Sequence, residues 1–138
     1  MKTHKDSEKT VKVIAGKFNS TEGPVNKHNV HPLYFDVVLN KDKIFDFNLP
    51  ETHNSFIYLI NGEIKVGEKK HEKITDSKLV LLTKGSKLKV KSLIKSNFLI
   101  ISGKPIGEKI ARGGPFVMNT KAEILEAIND YHNGTFVK

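Results

Sequence analysis

Apolar side chains recur at every second position in short runs between residues 11 and 101, and that alternation constrains this chain more than any other feature. Leu33, Phe35, Val37 and Leu39 alternate with Tyr34, Asp36 and Val38; Phe45, Phe47 and Leu49 repeat the pattern against Ile44, Asp46 and Asn48. A period of two sends successive side chains to opposite faces, so each run predicts a strand with one face in a core. Residues 11–16, 56–60, 79–82, 87–91 and 98–101 predict further strands. Asn61-Gly62 supplies the positive backbone angles of a type I′ turn, which predicts that Glu63–Val66 folds straight back on Phe56–Ile60. The charged stretch from Gly67 to Lys73 reads as a loop. Short strands about ten residues apart, punctuated by Gly, Asn and Pro, predict an all-β antiparallel sandwich or barrel.

One helix closes the chain. Thr120 followed three residues later by Glu123 is a capping box, and Ile124, Leu125, Ile128 and Tyr131 form a stripe that Gly134 terminates. Burying four such side chains, at about 1.5 to 3 kcal/mol each, would dock this helix on the β structure.

The 138 residues suffice for one domain, here residues 11–136 behind a flexible, charged N-terminus of residues 1–10. That N-terminus lacks the apolar segment of a signal peptide and no stretch has the length of a membrane span, so a cytoplasmic protein without membrane partners is expected. Without cysteine there is no disulfide, thiolate metal site or thiol nucleophile. The net charge of +8 invites a nucleic-acid reading, yet Arg112 is the one arginine among 23 basic residues, and bidentate readers of phosphate and guanine are arginines. Solvated lysines are therefore the preferred reading.

The stretches 11–16, Gly23-Pro24-Val25, 33–36, 54–64 and, above all, Gly114-Pro115-Phe116-Val117-Met118-Asn119-Thr120 with its helix resemble, in order, the C-terminal half of pirin. The resemblance runs over residues 11–136. It implies a single cupin or jelly-roll antiparallel β-barrel, a double-stranded β-helix, with one C-terminal α-helix. In the family, iron or another divalent metal bound by three His and one Glu, quercetin 2,3-dioxygenase activity and transcriptional coregulation belong to the N-terminal cupin. None of those ligands has a counterpart in this sequence, so no cofactor and no catalytic residue is expected in this chain.

Alignment on Asn61-Gly62 places Asn48 and Pro50 where the first pirin barrel has two His ligands and Asn54 opposite the Glu. Proline has no donor atom, and a neutral amide is a poor substitute for imidazole or carboxylate. His28, His31 and His53 are the remaining metal candidates; they are read as exposed or hydrogen-bonded, since residues three apart on a strand face opposite ways. Asp36, Glu51 and Glu63 read as surface charges. Lys87, Lys89 and Lys91 share a strand face, read first as an edge-strand guard and alternatively as a basic face for DNA or an acidic regulator. Arg112 is expected to tie the Gly113-Gly114 turn to carbonyls or Glu108, within a structural motif that includes Pro115, Phe116, Asn119, Thr120 and Glu123. The resulting expectation is a non-catalytic module that pairs with an N-terminal pirin half or with itself. The alternatives are a metal-dependent dioxygenase and a coregulator-type binding module.

Overall fold

The computed structural model describes residues 2–25, 29–67, 72–75 and 77–137. These residues form two compact units, Met1–Pro105 and Ile106–Lys138. The first contains β1 (Lys2–Lys5), β2 (Lys9–Ala15), β3 (Lys17–Phe18), β4 (Thr21–Glu22), β5 (Leu33–Leu39), β6 (Ile44–Asn48), β7 (Asn54–Asn61), β8 (Glu63–Val66), β9 (Glu72–Thr75), β10 (Lys78–Leu81), β11 (Lys87–Ser92) and β12 (Ser96–Gly103). A six-stranded antiparallel sheet in the order β1-β2-β5-β12-β7-β10 and a four-stranded one, β6-β11-β8-β9, make a cupin-like β-sandwich, with β3 and β4 as a short ribbon.

The alternation read from the sequence decides which side chains meet between the sheets. Phe35, Val37, Ile57, Leu59, Phe98 and Ile100 from the larger sheet join Phe45, Ile64, Leu88 and Val90 from the smaller in one buried cluster. Phe18 enters it from the ribbon, stacking on Phe45 at 5.5 Å between ring centroids and meeting Phe35 edge-on at 5.8 Å. Aromatic rings in both arrangements gain over simple area burial.

Three expectations about this unit are corrected. Phe56–Ile60 and Glu63–Val66 are not a hairpin: β7 pairs with β10 and β12, while β8 pairs with β9 and β11. Gly62, at φ 105°, is the corner where the chain leaves one sheet for the other. A β-carbon there would lie 2.3 Å from Ser96 Oγ and 2.7 Å from Ser96 Cα, so the corner requires the missing side chain as well as the backbone angle. The N-terminus is not loose: Lys2–Lys5 pair with β2 in register Lys2 to Val13 and His4 to Val11. Asp6 holds the intervening turn by accepting from the backbone N–H of Glu8 (2.7 Å) and Lys9 (2.9 Å), which lowers its pKa to about 2. The charged loop is shorter than expected, because Glu72 and Lys73 belong to β9; Ile74, the single buried residue of that strand, gave no alternation to read.

The second unit contains β13 (Ala111–Gly113), β14 (Phe116–Met118) and α1 (Lys121–His132). The strands pair around Gly114-Pro115, and Ile124 of the helix lies against Gly113, where a β-carbon would meet its Cγ2 at 2.4 Å. The capping box forms: Thr120 Oγ1 accepts from Glu123 N (3.2 Å) while the Glu123 carboxylate accepts from Thr120 N (2.7 Å) and Asn119 N (3.0 Å). Those hydrogen bonds, the Thr120 hydroxyl first, hold the Glu123 pKa below its ordinary value. At the other end Gly134 donates to Tyr131 O and Thr135 N to Asp130 O, a Schellman closure. The apolar stripe is narrower than expected: Ile124 and Ala127 are buried, whereas Leu125 and Tyr131 are 63% and 66% exposed.

Candidate functional site

The three positions aligned with metal ligands do not form a metal centre. Asn48 ends β6, Pro50 follows it and Asn54 opens β7, and all three side chains are exposed. Lys84 Nζ donates to Asn54 Oδ1 at 2.9 Å, so the position aligned with an anionic ligand holds a neutral amide beside an ammonium group, which repels a cation. The space between the sheets is occupied by the phenylalanine cluster. Iron of the kind the resemblance implies does not fit these residues.

His53 is drawn into a polar cluster instead. It sits before β7, 8% exposed, with Nδ1 3.0 Å from Ser102 Oγ near the end of β12; Ser55 Oγ donates to the same oxygen at 2.8 Å. A hydroxyl that accepts from Ser55 has its own proton left for Nδ1, and this fits a neutral imidazole. Burial, followed by the positive charges of His31, Lys84 and Lys104, holds His53 below the ordinary 6.5. Lys84 also donates to the carbonyl oxygens of Thr52 (3.3 Å) and His53 (3.0 Å), fixing the turn that carries the histidine. Ser102 is 2% exposed, too enclosed to act as a nucleophile, so this serine–histidine pair locks the sheet end. His31 is exposed at φ 45°. His28 lies outside the described residues, and among those described no three His, Asp or Glu side chains converge.

The lysine strand is not an edge. β11 lies between β6 and β8, so Lys87, Lys89 and Lys91 occupy the middle of a sheet face and guard nothing. Lys87 faces Asp46 at 3.9 Å. Pairing also brings in Lys65 and Lys73, which no local pattern distinguishes from other lysines, although the alternation of Ile64 and Val66 already turns Lys65 outward. Glu63, read as an isolated surface charge, pairs with Lys73 at 3.0 Å; Asp36 pairs with Lys12 at 3.4 Å.

In the C-terminal unit Arg112 does not tie the turn. It is exposed, because Gly113 faces the helix and the neighbouring strand residue must point away. Asn119 takes that role, its Nδ2 donating to Glu108 Oε2 (3.0 Å) and Lys109 O (2.9 Å).

The other face of the larger sheet carries two apolar rungs that the sequence reading missed. Register aligns Leu79, Tyr58 and Leu99 in one and Leu81, Phe56 and Ile101 in the next, across β10, β7 and β12. Leu79 is 57% and Leu81 77% exposed, on an edge strand. Their period-two signal was present in Leu79-Val80-Leu81-Leu82, but a run apolar on both faces does not reveal which face is covered.

The family model of the pirin C-terminal cupin domain matches residues 34–137, three-quarters of the sequence. The chain belongs to the pirin family. It is 32% identical over 133 residues to a pirin-like protein of Caulobacter vibrioides, covering 96% of this chain and 47% of that one. It is 35% identical over 127 residues to pirin of Rattus norvegicus, covering 90% and 43%. Among solved structures, a quercetin 2,3-dioxygenase from Acinetobacter baumannii superposes with TM-score 0.81 at 29% identity, covering 96% of this chain and 45% of that one. This pirin-family chain thus spans about half the length of the curated relatives it matches. No helix among the described residues is long and apolar enough to cross a membrane.

Proposed function

We propose that this pirin-family cupin is a non-catalytic interaction module whose larger sheet packs, through its outer face, against a second cupin barrel of the metal-binding pirin type. The observation that carries this reading is the pair of apolar rungs ending in Leu79 and Leu81 on an exposed edge strand. Contiguous apolar surface on a sheet edge promotes aggregation unless something covers it. A second cupin suits the position because the relatives are about twice as long and so present another half to the same face. In this reading dioxygenase chemistry belongs to the metal-binding partner, and this chain supplies a rigid surface.

Light scattering tests it. The wild-type chain should form a complex with a supplied N-terminal pirin half, and Leu79→Lys/Leu81→Lys should abolish that complex while leaving the far-UV circular dichroism unchanged. A wild-type chain that stays a clean monomer in the presence of that half would sink the proposal.

A further inference from the structure

The outer face of the four-stranded sheet holds lysines in an arrangement that costs stability by itself. Register places Lys91 of β11 directly against Lys65 of β8, and Lys65 directly against Lys73 of β9. Like charges directly opposite on neighbouring strands repel. Lys89 and Lys87 extend the face along β11, so five lysines stand against two carboxylates, Asp46 and Glu63. Both carboxylates are already engaged, by Lys87 and Lys73 respectively, and Lys65 and Lys91 make no ion pair among the described residues.

A shallow depression of about 180 Å³ lies at the centre of this face, lined by Ile44, Lys65, Gly67, Lys89 and Lys91. It exists because Gly67, whose N–H donates to Lys89 O at 3.0 Å, brings no side chain to the place beside Lys89. Three ammonium groups on a rigid sheet around a side-chain-free floor make a receptor for a compact, multiply charged oxyanion. Along β11 alternate residues repeat at about 6.6 Å, close to the spacing of successive phosphates along one strand of a nucleic acid. No aromatic ring is among the residues that define this face, so it has nothing on which to stack an unpaired base. Lysines rather than arginines suit phosphate contact without base reading.

We propose that this face binds the phosphate backbone of duplex nucleic acid, with Lys65, Lys89 and Lys91 seating one phosphate in the depression. The surface is separate from the apolar face of the other sheet, so either reading can fail without the other.

Fluorescence anisotropy with a labelled 20-base-pair DNA duplex provides the test. Each phosphate contact contributes about −0.9 to the slope of log affinity against log salt. Lys65→Gln/Lys89→Gln/Lys91→Gln should therefore flatten the slope by about 2.7, so that wild type loses about 40-fold more affinity than the variant between 50 and 200 mM salt. Lys2→Gln/Lys5→Gln/Lys17→Gln, which removes the same charge elsewhere, should change the slope by less than 1. The single variant Lys91→Gln should flatten it by about 0.9 and fold without difficulty, because it relieves the repulsion from Lys65. Equal slopes for the two triple variants, absence of wild-type binding, tighter binding to a single strand of equal length, or displacement by poly-glutamate at a lower charge concentration than competing duplex would each overturn the proposal.

Discussion

Replacing Gly62 with alanine should be among the most damaging single-methyl additions this chain can receive. The new β-carbon would meet Ser96 Oγ at 2.3 Å and the Ser96 backbone at 2.7 Å, in a residue already at φ 105°. A side-chain-bearing residue in such a sparsely populated region costs about 1 to 3 kcal/mol. Ser96 is 1% exposed, and its hydroxyl accepts from Glu63 N (3.1 Å) while lying within donating distance of Glu63 O (3.1 Å) and Ile94 O (2.8 Å). Displacing it leaves buried polar groups unpaired at about 1 to 3 kcal/mol. The expected loss is about 2 to 6 kcal/mol, against about 5 to 15 kcal/mol for a whole domain. Gly85→Ala is the control: it has nothing within 4 Å and lies outside the left-handed region, so the same methyl should be neutral or stabilise by about 0.4 to 1 kcal/mol. Urea denaturation followed by circular dichroism measures both. Gly62→Asn sharpens the comparison, since a two-residue hairpin turn tolerates asparagine at positive φ, whereas a corner closed by Ser96 rejects any β-carbon. If Gly62→Asn retains wild-type stability, or if Gly62→Ala falls within about 1 kcal/mol of Gly85→Ala, the steric account of the corner is wrong.

Two further outcomes follow from the polar locks. His53 binds its proton less readily in the folded chain than when unfolded, so the unfolded state carries more protons and its contribution to stability is fully present above pH 6.5 and is lost as pH falls below that value toward the lowered folded pKa. Denaturant titrations at pH 7.5 and 5 should show this loss in wild type and a weaker pH dependence in His53→Gln; identical dependence in the two would refute it. Thr120→Ala should cost about 1 kcal/mol and act locally, raising amide exchange along residues 121–132 without exposing β5 or β12; uniform loss of protection throughout the chain would contradict a local cap.

Much of the strand content was legible because a period of two survives any tertiary arrangement. Leu33–Leu39 is a strand as the alternation required, and Thr120 with Glu123 marked the helix start because both partners of a capping box lie within one turn. The short strands β1, β3, β4 and β9 were not legible. They are held by neighbours rather than by their own pattern, as Lys2–Lys5 are held by the open edge of β2. The histidine cluster had no local signal either, since His53 and Ser102 are 49 residues apart and meet only through strand pairing.

Asn61-Gly62 shows where the division lies. The sequence by itself determined that the backbone must adopt a positive φ there, because that requirement is local and glycine answers it. Whether the chain then folded back or crossed to the other sheet was decided by Ser96, which occupies the space beyond Gly62 and which only the assembled sandwich brings there. The same holds for the two faces. Alternation set which lysines and leucines point outward, but strand order and register alone turned them into a lysine row on one sheet and apolar rungs on the other, because neighbours across a sheet are remote in sequence.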